Sequence, residues 1–204
     1  MYNIYLDTET TSFVPGSIIE LSMIIEDVDT KSIVARNYFF DVDSIDEGAQ
    51  KAHGFSVEDI HMLSGGKRFE DYYLELNQIL TSGTLIAHNE AFDERYLSAE
   101  LWRCGISFTP LDRLCTMKVF KDILQIPAKY KKYGAYKNPK LSEVMEYLSI
   151  STNRVNEYSK RLFNYGGSEY HDSRFDTTAM YVAVQVYREK LHGGSDWHNM
   201  FVVK

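Results

Sequence analysis

Met1–Thr11 reads M-Y-N-I-Y-L-D-T-E-T-T, a short apolar run that ends in two carboxylates. The pattern predicts a strand. Residues two apart in a strand point to the same face, so Asp7 and Glu9 share a side, at the point where the run gives way to a polar turn. Like charges so placed repel and raise each other's pKa unless a cation lies between them. An oxygen-rich pair of this kind suits Mg²⁺ or Mn²⁺. A bare D-x-E also arises by chance about once in 200 residues, so its meaning depends on what completes it elsewhere in the chain.

Working outward, Ile19, Leu21, Met23 and Ile25 alternate onto one face of a second strand, with Glu20 and Ser22 on the other. A polar turn at Asp29–Lys31 leads to I-V-A-R-N-Y-F-F, rich in β-branched and aromatic residues. Three strands joined by short turns predict an antiparallel meander that opens a mixed sheet. Asp41–Gln50 reads as acidic and irregular. Ser56, with Asp59 three residues on, has the capping-box pattern of a short helix. A helical stripe follows over Phe69–Leu80, then a short buried strand in T-L-I-A-H and a helix over Glu90–Arg103. Residues 111–124 predict a further strand and helix, and 141–149 and 172–190 two more helices. This alternation is that of an α/β domain built on a central sheet.

At 204 residues the chain fits one domain with a full core. Its net charge of -7 argues against a surface coated for nucleic acid, though not against a local basic patch. Carboxylates reserved for divalent ions would themselves make the total acidic. Cys104 and Cys115 lack metal-type spacing and make no disulfide framework, which fits free thiols of a reducing compartment. The first strand starts almost at Met1, and no apolar run approaches the ~18 residues of a membrane span. The expectation is a soluble cytoplasmic protein with no membrane contact.

Two further segments carry acids where patterning does not want them. In L-I-A-H-N-E-A-F-D-E-R-Y-L (85–97), Asp93 shares a helix face with Tyr96 and Leu97. A carboxylate among core-facing side chains is costly unless paired or metal-bound; alone, it reads equally well as a helix-start acid favoured by the dipole. In 170–187, Phe175, Ala179, Met180, Val182, Ala183, Val186 and Tyr187 form an apolar stripe, and Asp176 falls inside it. Arg174, Thr177, Thr178, Gln185 and Arg188 lie opposite. An acid within such a stripe breaks the pattern unless a function requires it, and His171 precedes it in a segment that reads as loop.

These segments resemble a known family. D-T-E-T at 7–10, H-N-E-A-F-D at 88–93 and H-D-S-R-F-D at 171–176 are similar, in order and spacing, to the three motifs of the DEDDh (DnaQ-like) 3′–5′ exonucleases. That family includes the proofreading subunit of bacterial DNA polymerase III. K-A-H-G-F at 51–55 resembles its His-Gly segment. The resemblance implies a ribonuclease H-like α/β fold, with a central five-stranded mixed sheet and flanking helices, over an exonuclease domain 1–192 and a C-terminal tail 193–204. It assigns Asp7, Glu9, Asp93 and Asp176 to two divalent metal ions, Mg²⁺ or Mn²⁺, with Asp7 best placed to bridge them. It assigns His171 as general base, and Thr10, Thr11, His53, Asn89 and Phe92 to the nucleotide. Two positions depart from the family: Ser12 replaces a frequent Gly, and Ser173 a usual Ala. The implied activity is release of 5′-nucleoside monophosphates from the 3′ end of a single strand, DNA slightly ahead of RNA. The alternatives are an exoribonuclease similar to ribonuclease T and a non-catalytic nucleic-acid or polymerase-binding module.

Pro127–Lys140, P-A-K-Y-K-K-Y-G-A-Y-K-N-P-K, is a basic, tyrosine-bearing stretch without an acid. Lysines neutralise phosphates and tyrosines stack on bases, which makes Lys129, Lys131, Lys132 and Tyr133 candidate strand contacts. The same residues serve equally as a solvated connector. Trp197, Met200 and Phe201 in the tail dock either on the domain itself or on a partner, such as a DNA polymerase or replication subunit.

Overall fold

A computed structural model of the chain describes residues 1–13, 16–130, 134–165 and 171–192. Five strands, β1 (Tyr2–Thr10), β2 (Ile18–Asp27), β3 (Ile33–Phe39), β4 (Gly83–Ala87) and β5 (Asp112–Cys115), form one sheet in the order β3-β2-β1-β4-β5. The first three make the expected antiparallel meander, and β4 and β5 join in parallel, so the sheet is mixed. Gly83 opens β4 because a Cβ there would sit 2.0 Å from the Tyr2 carbonyl oxygen.

The helices are α1 (Glu47–His53), α2 (Val57–Ser64), α3 (Tyr73–Leu80), α4 (Glu90–Arg103), α5 (Thr116–Leu124), α6 (Leu141–Leu148), α7 (Thr152–Phe163) and α8 (Ser173–His192). The Ser56–Asp59 capping box is present at the start of α2. On one face of the sheet Leu76, Leu80, Leu97 and Leu101 of α3 and α4 pack on Ile4, Leu6, Leu21 and Met23. On the other, Met180 and Val184 of α8 cover Tyr5, Ile24 and Ile86. The outer side of α8 packs against α5, α6 and α7 through Phe175, Ala179 and Ala183.

Three sequence expectations change. Asp41–Gln50 is not irregular throughout, since α1 starts at Glu47; its apolar content is little more than buried Ala49, too sparse for a periodic signal. Helix α7 is also unforeseen, because only Val155 and Ser159 are buried along it. The alternation in β2 breaks at its start. Thr10 pairs with Ile18 while Glu9 pairs with Glu20, so Ile19 is the extra residue of a bulge. Ile18 joins Leu21 and Met23 in the α4-side core, and Ile19 packs with Val42 and Ile60 instead.

The polar stripe of α8 is buried as well. Arg174, Thr177 and Arg188 face β2, where Arg174 Nε lies 3.3 Å from Glu20, Thr177 donates to the Ser22 carbonyl and Arg188 lies 3.3 Å from Glu26. Between a sheet and three other helices, α8 has no exposed residue from Ser173 to Arg188, so the charges there must find partners. Cys104 and Cys115 are free thiols, and among the described residues no helix is long and apolar enough to cross a membrane.

Candidate active site

The register between β1 and β4 ends at Tyr5 and Ile86. Beyond it Asp7–Thr10 pair with β2 on one edge, and the other edge faces the gap where β4 turns into α4. Crevices at the carboxyl ends of parallel strands are where ligands bind in open α/β sheets. A cavity of about 330 Å³ opens here, lined by residues that include Asp7, Glu9, Thr10, His53, Asn89, Phe92, Asp93, His171 and Asp176. Residues from four separate segments, β1, α1, the start of α4 and the start of α8, therefore meet at one point.

Each carboxylate arrives by its own route. Asp7 and Glu9 project from β1 toward α8, and Asp176 sits in the first turn of α8. Asp93 comes from α4, on the opposite side of the sheet, and is held by the Thr8 hydroxyl, which donates to its Oδ1 at 2.8 Å. The helix that carries Asp93 is capped by Asn89, whose left-handed φ of 90° turns the chain sharply out of β4. His171 also has a left-handed backbone, φ 70°, and its N–H donates to Asp176 Oδ2 at 3.1 Å. Such conformations are uncommon outside glycine and cluster at functional sites.

The electrostatics are those of acids lacking a counter-charge. Burial, followed by repulsion from Asp176, Asp93 and Glu9, holds the Asp7 pKa well above the usual carboxylate range. Burial and then Asp176 do the same to Glu9. Burial raises Asp93 and Asp176 each to about 7. Asp7 Oδ2 and Asp176 Oδ1 are buried and meet no hydrogen-bond donor among the described residues. One ligand atom each from Glu9, His171 and Asp176 lies within 4.8 Å of the others. Orphaned carboxylate oxygens beside such a donor set fit hard divalent cations of the Mg²⁺ or Mn²⁺ type.

The two departures from the motif pattern find explanations here. Ser12 is not among the residues with positive φ, so no glycine is needed. Its carbonyl accepts from the Thr10 and Tyr96 hydroxyls. Ser173 is fully buried and donates its hydroxyl to the Asp7 carbonyl at 2.6 Å.

A sequence model of the RNase_T family, described as an exonuclease, matches residues 4–155. The chain belongs to this exonuclease family. The match covers Asp7, Glu9 and Asp93 and ends before His171 and Asp176, which only the folded geometry brings to the same cavity. No curated protein matches the chain by sequence. Cell-death related nuclease 4 (CRN-4) superposes with TM-score 0.65 at 14% identity, over 94% of this chain and 64% of that one. Exonuclease I from Methylocaldum szegediense gives TM-score 0.67 at 13% identity, over 94% of this chain and 41% of that one. E. coli exonuclease I in complex with a dT13 oligonucleotide gives 0.63 at 14%, over 92% and 41%. The chain spans about two-fifths of exonuclease I and under two-thirds of CRN-4. At such identities the likeness carries the fold, which is the expected ribonuclease H-like one.

Not every candidate reaches this cavity. Thr11 turns away: its hydroxyl accepts from the Ser17 N–H at 2.9 Å, which closes the loop after β1, and it lines a neighbouring cavity instead. Lys129 is exposed and sits against the Tyr130 ring, away from the cavity walls. Lys131, Lys132 and Tyr133 lie outside the described residues.

Of the wall residues not named from sequence, which also include Ala49 and Ala52, three have informative contacts. Thr8 points to the opposite face from Asp7 and Glu9, toward α4, and so lies outside the pair that shares a face. Phe13 lines the cavity although its side chain is 71% exposed. Its backbone is pinned by Arg95, whose guanidinium donates to the Phe13 carbonyl and lies over the Phe92 and Tyr96 rings. His88 is the third. Its Nε2 must donate to the Pro139 carbonyl, at 3.0 Å, and its Nδ1 lies 3.1 Å from the Thr116 hydroxyl, whose proton the Ala87 carbonyl also draws at 3.2 Å. Burial lowers its pKa, which keeps the ring neutral. The signal for Phe13 was present, a large apolar residue in a polar turn.

His53 also serves in neutral form. Its Nδ1 accepts from the Phe55 N–H at 3.1 Å, so Nε2 carries the proton. Burial pushes its pKa down, opposed by the Thr10 main chain and reinforced by His171.

Proposed function

We propose that this chain is a metal-dependent 3′–5′ exonuclease that hydrolyses single-stranded nucleic acid to 5′-nucleoside monophosphates, DNA slightly ahead of RNA. The observation that carries this reading is the set of buried, unpartnered carboxylate oxygens of Asp7 and Asp176 beside Glu9, His171 and Asp93. Asp7, Glu9, Asp93 and Asp176 would hold two divalent ions. When bound, these supply charge to neutralise the phosphate and acidify water for an in-line displacement at phosphorus.

The chain's own groups do the rest. His171 takes the proton of the attacking water, the role for which imidazole is suited as a class. Phe13 and Phe92 offer apolar faces for the terminal base, and Asn89, Thr10 and the His53 Nε2–H offer polar contacts. Thr11 would act one step back, by shaping the loop that presents Phe13. A cavity of about 330 Å³ is at the small end of ligand sites, suited to one terminal nucleotide rather than a duplex. Exonuclease I with bound dT13 and dA16 supports a single-stranded DNA substrate.

The basic stretch is proposed to track the strand beyond the site. Its root is at the cavity edge, where Pro139 meets His88, and Ala128 and Lys137 pair across it with Ala135 and Ile126. The tail 193–204 is proposed as the segment that meets a polymerase or replication partner, and the cytoplasm as the compartment.

Matched DNA and RNA oligomers, each labelled at the 5′ or the 3′ end, test the reading with Mg²⁺, with Mn²⁺ and with chelator. Metal-dependent shortening from the 3′ end is expected. No turnover of either polymer with either metal would leave the non-catalytic module. Turnover of RNA alone would make the chain an exoribonuclease.

A further inference from the structure

We propose that Arg174 is the positioning residue for His171, and this rests on the reading of His171 as the base. Arg174 is 7% exposed and gathers groups from both sides of the His171 segment. Its Nε donates to Asp172 Oδ1 at 3.0 Å and its Nη2 to Asp172 Oδ2 at 2.7 Å, a bidentate fork on the residue that follows His171. The guanidinium carbon lies 3.4 Å from the ring centroid of Tyr165, the last described residue before His171. It lies 5.2 Å from the Phe39 ring. Its Nε is also 3.3 Å from Glu20, and Glu20 is the β2 partner of Glu9.

One planar cation thus ties the residue after the base, and a residue before it, to the strand that pairs with a metal-ligating strand. Asp172 is fastened from a second side, since its Oδ1 accepts from the Arg174 backbone N–H at 3.0 Å in the first turn of α8. His171 needs such a clamp. Its φ of 70° is a strained backbone, which persists only where the surroundings over-determine it. Asp172 and Arg174 supply that determination from one side and the His171 N–H bond to Asp176 from the other.

Arg174→Lys is the discriminating change. Lysine keeps a positive charge between Glu20 and Asp172, so the fold is retained, but a point charge cannot fork to Asp172 and stack on Tyr165 together. We expect kcat on an oligonucleotide to fall about 10- to 100-fold, the effect of misplacing a reacting group. KM and the affinity for Mn²⁺ alone should stay within about two-fold. Tyr165→Leu, a change at a half-exposed ring that leaves every ion pair in place, should lower kcat in the same direction by less.

The decisive comparison is in a His171→Ala background, where Arg174→Lys should cost nothing further. An equal additional loss there would overturn the proposal and leave the base assignment standing. A collapse of Mn²⁺ affinity in Arg174→Lys would also overturn it, since Arg174 would then be shaping the metal ligands. Wild-type turnover by His171→Ala would remove the base assignment itself, and the role of Arg174 with it.

Discussion

The Ser173 hydroxyl donates to the main-chain carbonyl of Asp7 at 2.6 Å and accepts from the Ser22 N–H at 3.0 Å. One buried side chain at the start of α8 therefore ties two strands together, next to the carboxylate at the centre of the site. It couples the segment of His171 and Asp176 to the strand of Asp7 and Glu9, which lie far from it in sequence.

Ser173→Ala restores the residue usual at this position in the resembling family, yet it should destabilise this chain. It leaves a buried N–H and a carbonyl without their partner, at a cost of about 1–3 kcal/mol. Urea unfolding should show a lower midpoint with an unchanged slope. A midpoint equal to wild type would mean that the hydroxyl adds nothing to the joint.

Asp7→Asn should abolish turnover while making the metal-free protein more stable. The substitution removes one of several acids that repel across the cavity. Thermal unfolding in chelator should shift upward, and the rise that Mn²⁺ gives wild type should largely vanish. A variant that melts below wild type without metal would contradict the repulsion argument.

The metal-free protein should lose stability as pH rises from about 5 to 8. Asp93 and Asp176 stand near 7 when folded, against 3.8 ordinarily. In that window the unfolded chain has released protons that the folded chain still holds, so deprotonation favours unfolding. The stabilisation is full below the ordinary carboxylate values and is lost as pH passes the folded ones. Mg²⁺ or Mn²⁺ should raise the melting temperature more at pH 8 than at pH 5. A melting temperature that climbs across this range without metal would reverse the assigned sign.

His171→Ala should lower the rate by about 10²–10⁴, the usual worth of a positioned general base, with Mn²⁺ binding kept. Glu9, His171 and Asp176 stand close enough for the imidazole to be a ligand instead. A titration with Mn²⁺ alone separates the roles, because a lost ligand weakens binding and a lost base does not.

Changing Lys129, Lys131 and Lys132 together to Ala should flatten the salt dependence of long-strand binding. Each phosphate contact removed takes about 0.7 from the slope of log K against log salt for single strands. The rate on a dinucleotide should hardly move, since so short a substrate would end near the carboxylates of the cavity. An unchanged slope would make the stretch a solvated connector.

Much of this domain is legible in the chain alone. The meander, the parallel strand at Thr84–Ala87 and helix α4 follow from periodicity, because their apolar faces are long and their breaks clear. Asp176 is legible because local patterning disfavours an acid inside its apolar stripe, while Asp7, Glu9 and Asp93 are named by their spacing in known motifs. What the sequence could not determine arises where contacts come from far along the chain. The bulge at Ile19 reassigns a face through one unpaired residue, which no alternation rule contains. Thr8 and Phe13 belong to the cavity because α4 holds Asp93 and the loop after β1 in place. Arg174 looks like the solvent side of an amphipathic helix, and only the packing of α8 between sheet and helices converts it into a buried clamp. A period records which way a side chain points; which group waits there is settled when distant segments close on one another.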